Sequence, residues 1–82
     1  MSNLRSYTER SYQMIDTNAL RGRIAEKGYS QSDVAKAIGI TPKTFYTKME
    51  KKVFGSDEIE VMIDLLDIKD PARIFFANKV TL

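Results

Sequence analysis

The chain has 82 residues, with 13 Lys/Arg against 11 Asp/Glu for a formal net charge of +2, and it has neither cysteine nor histidine. That composition excludes disulfides, thiolate and imidazole metal sites, thiol nucleophiles and histidine acid–base catalysis, so no enzyme and no cofactor is expected. So short a chain buries only a small core, and the expected solution is one short helical bundle, with dimerisation as a way to complete it.

Residues 1–15 read as a flexible N-terminal arm and residues 16–82 as the domain. The first thirteen residues are polar, carrying Arg5, Tyr7, Arg10 and Tyr12 with Leu4 as their one aliphatic side chain. Two readings stay open for them: a disordered tail, or a basic arm that tracks a DNA backbone or enters a minor groove. They lack the apolar core of a secretory signal, and no stretch nears the roughly 18 apolar residues that span a bilayer, so a cytoplasmic protein without membrane partner is expected. Leu20 and Ile24 mark the first helix, begun near Asp16 to Asn18 and closed by Gly28.

The next stretch, QSDVAKAIGITPKTFYTKME over residues 31–50, spells two short amphipathic helices joined by a turn around one glycine. Ser30 stands at the N-cap with Asp33 as a short-armed capping-box partner. Val34 and Ile38 share a face, and the small Ala35 beside them lets a second helix come close. Gly39 then ends the helix in the left-handed conformation that glycine adopts without strain. Ile40 plugs the angle, and Thr41 as N-cap with Pro42 as first helical residue restarts the chain. Phe45 and Met49 face inward, which turns Lys43, Thr44, Tyr46, Thr47, Lys48 and Glu50 mostly outward.

Lys51 to Gly55 read as a loop. Ser56, Asp57 and Glu58 begin a fourth helix whose Ile59, Met62, Ile63 and Leu66 fall on one stripe. Asp70 followed by Pro71 reads as N-cap and first residue of a short fifth helix, with Ala72 to Ala77 presenting Ile74, Phe75 and Phe76. These three large side chains are candidates either for the core or for a dimer interface, because so small a bundle has little room for them. Lys79 to Leu82 receive no assignment.

The spacing of Gln31, Ala35, Gly39 and Ile40, with Phe45 as the inward residue of the second helix, resembles the helix-turn-helix of the Cro/CI-type (XRE) family of small DNA-binding phage repressors. The resemblance runs in plan from Asn18 to Phe76, and the motif itself carries it. Met14, just ahead of that start, is a candidate alternative translation start. The resemblance implies an all-α, five-helix lambda-repressor-like DNA-binding domain. Two positions depart from the pattern: Pro42 stands where many relatives carry a polar base-reading side chain, and Lys48 stands where the residue is often apolar, which gives the packing role to Met49. Base reading is therefore assigned to Lys43, Tyr46 and Thr47.

Charge placement points the same way. Residues 1–54 hold ten Lys/Arg against five Asp/Glu, residues 55–82 three against six, and Glu50 is the one acid between residues 36 and 52. A local positive field can therefore meet phosphate despite the modest total, with Gln31, Thr41, Thr44, Lys48, Lys51 and Lys52 as phosphate candidates. Gln31 also reads as a brace to the second helix, and Tyr46 as a half-buried surface aromatic. The expected function is a sequence-specific repressor that binds double-stranded DNA as a homodimer on a two-fold-related operator and represses by occupancy, with no small-molecule substrate. The alternative is a protein-interaction module, antirepressor or antitoxin-like, that keeps the fold without reading DNA.

Overall fold

The computed structural model describes residues 13–75 and 78–79. Five helices follow one another: α1 (Thr17–Glu26), α2 (Gln31–Ile38), α3 (Pro42–Lys51), α4 (Ser56–Leu65) and α5 (Pro71–Phe75). Two two-residue strands flank them, β1 (Gln13–Met14) and β2 (Asn78–Lys79), paired antiparallel with Gln13 opposite Lys79 and Met14 opposite Asn78. The ladder is an addition to the all-helical expectation. Residues 1–12 of the expected arm lie outside the described residues, and Gln13 and Met14 of it pair with Lys79 and Asn78. Ile15 is buried, its N–H donates to the Lys52 carbonyl, and the Asp16 N–H donates to the Ile74 carbonyl at 2.8 Å.

Local chemistry sets most helix ends. The Asp16 carboxylate accepts the Ala19 N–H at the start of α1, and Gly28 at φ +81° turns the chain out of it. At α4 the N-cap is Gly55 rather than Ser56; the Glu58 carboxylate, reaching back, accepts the Gly55 N–H at 2.7 Å. Glycine can hold this position because the side chain three residues on satisfies its donor. Helix α5 is described over Pro71–Phe75, and the expected continuation to Ala77 lies outside the described residues.

The core gathers one or more residues from every helix: Leu20 and Ile24 from α1, Val34 and Ala35 from α2, Phe45 and Met49 from α3, Met62 from α4 and Phe75 from α5. Ile15, Phe54, Leu66 and Ile68 join them from the connecting segments. The rings of Phe45 and Phe54 lie 5.3 Å apart, tilted by 51°, an aromatic pairing that adds about 0.5–1.5 kcal/mol to their burial. Phe75 is fully buried, so its candidacy as a dimer contact is corrected: the side chain fills the core between α1 and α5. Ile74 is half-buried, and the side chain of Phe76 lies outside the described residues.

A cross-fold bond ties α4 to α1. The Arg23 guanidinium donates from Nε to the Leu66 carbonyl and from Nη2 to the Asp67 carbonyl, each at 2.8 Å, while Nη1 meets the Glu26 carboxylate at 3.1 Å. Charge-assisted donors thus satisfy carbonyls at the end of α4, where the helix runs out of internal partners. Asp67, at φ +51°, makes the turn, and the Lys69 ammonium hydrogen-bonded to its carboxylate holds that carboxyl below the usual range. No helix among the described residues is long and apolar enough to cross a membrane.

Candidate nucleic-acid interface

Two short helices and the angle between them build the site. The Ser30 hydroxyl accepts the Asp33 N–H at 3.1 Å, and the Asp33 carboxylate accepts the Ser30 N–H at 2.8 Å, so the capping box at the start of α2 is closed from both sides. The Ser30 N–H first, and then the Ser30 hydroxyl, hold the Asp33 carboxyl below its ordinary pKa. Gly39 lies at φ +95°, where the Cβ of any other residue would be strained, and the N–H groups of Gly39 and Ile40 both return to the Ala35 carbonyl. Ile40, half-buried, packs against the core in the angle. The Thr41 hydroxyl then accepts the Thr44 N–H at 3.1 Å, with Pro42 opening α3. Each such cap is worth about 1 kcal/mol, and together they fix the direction in which α3 leaves α2.

Phe45 and Met49 seat α3 on the core, and Lys43, Thr44, Tyr46, Thr47, Glu50 and Lys51 are exposed. Lys43, Thr44, Thr47, Lys48 and Lys51, with Val53 beyond the helix, line a groove of about 450 Å³. The i, i+4 and i+8 positions of a helix fall on one side, which is why Lys43, Thr47 and Lys51 share it. The Thr47 hydroxyl donates back to the Lys43 carbonyl at 3.1 Å, leaving its oxygen lone pairs outward. Tyr46 is half exposed and does not line the groove. Gln31 is half-buried at the start of α2, and Thr41, exposed, donates its hydroxyl proton to Thr44.

Two of the lysines also have roles within the fold. Lys48 is not an outward cation: its Nζ lies 3.0 Å from Glu58 Oε2 and 3.1 Å from Oε1, and the pair is largely sheltered from water. The sequence pattern of α3 did not reveal this partner, since α4 supplies the carboxylate from ten residues away. Lys52 forms the C-cap of α3 at φ +62°, a left-handed position usually held by glycine, and its carbonyl accepts the Ile15 N–H. Among the described residues Lys43, Lys51 and Lys52 make no ion pair.

A second groove, of about 550 Å³, lies between α1 and α5 and is lined by residues that include Arg23, Glu26, Asp67, Lys69, Asp70 and Arg73. Its charges are of both signs and partly satisfied within the protein, with Arg23 on α4 carbonyls and Lys69 on Asp67. Of these two grooves, the α3 groove is the one with unpaired charge of a single sign. Among the described residues no group of three or more His, Cys, Asp or Glu is arranged to hold a metal ion.

The family model described as Protein of unknown function (DUF739) matches residues 13–78, and the chain belongs to that family. No curated protein and no solved structure matches the chain.

Proposed function

We propose that this member of the DUF739 family is a sequence-specific regulator that binds double-stranded DNA through α3, represses by occupying its site, and does so as a homodimer on a two-fold-related operator. One observation carries the reading: a groove on the exposed side of a firmly capped second helix presents Lys43 and Lys51 without protein partners, together with the hydroxyls of Thr44 and Thr47. Lysine ammonium groups donate to phosphate oxygens and to acceptors on base edges, and the outward Thr47 oxygen can accept from a base amino group, in a major groove that admits one helix. The resemblance of Gln31, Ala35, Gly39 and Ile40 to the Cro/CI-type motif supports the same reading. The acids of α4 and of the turns beyond it, Asp57, Glu60, Asp64 and Asp70, would lie away from the duplex.

The test is a titration of random and selected duplexes over about 50 to 200 mM salt. With roughly three to five phosphate contacts per subunit, log K against log salt should fall with a slope near −5 to −9 for the dimer. Binding indifferent to salt, or none at the low end, sinks the proposal and leaves a protein-interaction module as the better reading of this fold.

A further inference from the structure

Glu58 has a double attachment that the DNA-binding reading leaves unused. Its Oε1 accepts the Gly55 N–H at 2.7 Å, closing the N-terminus of α4, and the same carboxylate takes the Lys48 ammonium of α3 at 3.0–3.1 Å. The Glu58 side chain is only 17% exposed and that of Lys48 32%, so the two charges sit in a partly dried seam between the helices. Pulling Lys48 out to a phosphate would leave the Glu58 carboxylate, only 17% exposed, with the Gly55 N–H as its remaining partner, and removing the partner of a sheltered charge is costly. Lys43 and Lys51, on the same side of α3, have no such partner among the described residues.

We infer that Glu58 is a positioning residue for the DNA-facing surface: it holds Lys48 back as a strut between α3 and α4, so that the groove offers a duplex Lys43 and Lys51 as its free ammonium groups. The inference rests on the duplex-binding reading for its consequence, but not for the strut itself. It also explains why a lysine can stand at a helix position whose neighbours Phe45 and Met49 are core.

Two measurements separate these parts. Lysine acylation of the folded protein, read by mass spectrometry, should find Lys48 slower than Lys51. In Glu58→Gln, whose amide oxygen can still accept the Gly55 N–H, the two should react alike. Equal rates in the unaltered protein overturn the inference whether or not DNA binds. Salt titration on random duplex should then show Lys48→Met with the unaltered slope, and Glu58→Gln with a slope steeper by about 0.9 per subunit, or about 3.5-fold in affinity across a fourfold range of salt. Combining the two substitutions should restore the original slope, and Glu60→Gln, which changes net charge equally on the exposed side of α4, should leave it unaltered. A flatter slope in Lys48→Met shows that this lysine already meets phosphate and overturns the inference, as does an equal effect of Glu60→Gln. A slow-reacting Lys48 in a protein that binds no duplex overturns the DNA reading and the consequence drawn from it, and the acylation result identifies which of the two failed.

Discussion

Helices α3 and α4 are both ten residues long, yet they meet the rest of the molecule in opposite ways. Helix α3 buries Phe45 and Met49 completely and turns nearly everything else to water. In α4 only Met62 is fully buried, while Ile59, Val61, Ile63 and Leu65 are each half-covered, and its exposed residues are chiefly acids. The first arrangement concentrates packing in two side chains one turn apart and leaves a broad polar face for other uses. The second spreads packing around the helix and leaves no comparable face. A helix that presents chemistry outward can thus be held by two deep anchors, provided that its ends are capped and its neighbour supplies a strut.

The hardest way to break this contrast is to remove an anchor. Phe45→Ala should cost about 3–5 kcal/mol of stability, a large part of what so small a domain possesses, as read by chemical denaturation. Phe75→Ala should cost as much, and the loss should be independent of protein concentration because Phe75 is core; a loss that disappears on dilution would return it to an interface. Changing the open face should do the reverse. Lys43→Ala and Thr47→Ala should leave stability within about 0.5 kcal/mol. They should nevertheless weaken binding to the preferred site by about 1–3 kcal/mol and relax preference at one or two base pairs in a selection from random DNA. Lys51→Ala, at the helix end, should weaken all sequences alike and flatten the salt slope by about 0.9 per lost phosphate contact.

Smaller effects sharpen the role of the caps. Ser30→Ala should destabilise by about 0.5–2 kcal/mol, without altering base preference by itself. The Asp33 carboxyl, held low by the Ser30 N–H and hydroxyl, has a folded pKa below its unfolded one. Its contribution is therefore fully present above the unfolded value of about 3.9 and is lost as pH falls through the folded value. Denaturation midpoints of the protein and of Asp33→Asn should differ at pH 7 and converge as the pH falls below the ordinary carboxylate range; a gap that widens in acid would reverse the sign of this coupling.

How much of this was legible in the chain depended on distance along it. The caps at Asp16, Ser30 and Thr41, the left-handed Gly39 and the inward pair Phe45 and Met49 rest on contacts three or four residues apart, and these are written in the order of residue types. The exposed stripe of Lys43, Thr47 and Lys51 follows from the same helical period. Phe54 escaped because a single aromatic in a loop has no period, and its place in the core comes from Phe45 lying opposite. The sequence leaves Phe75 open between two roles for a related reason: whether a large side chain is covered depends on α1 closing over it.

Composition and local spacing determined by themselves that the chain folds as a small helical unit, where α1 to α4 begin, and which side of α3 is polar, since capping and amphipathic periodicity act within a few residues. Tertiary structure alone decided which polar residues on that side remain available. Lys48 and Lys51 are alike in sequence, but only Lys48 finds a sheltered carboxylate across the α3–α4 seam. Arg23 likewise holds the end of α4 from 43 and 44 residues away. Charges and carbonyls choose partners by proximity in space, and folding creates that proximity.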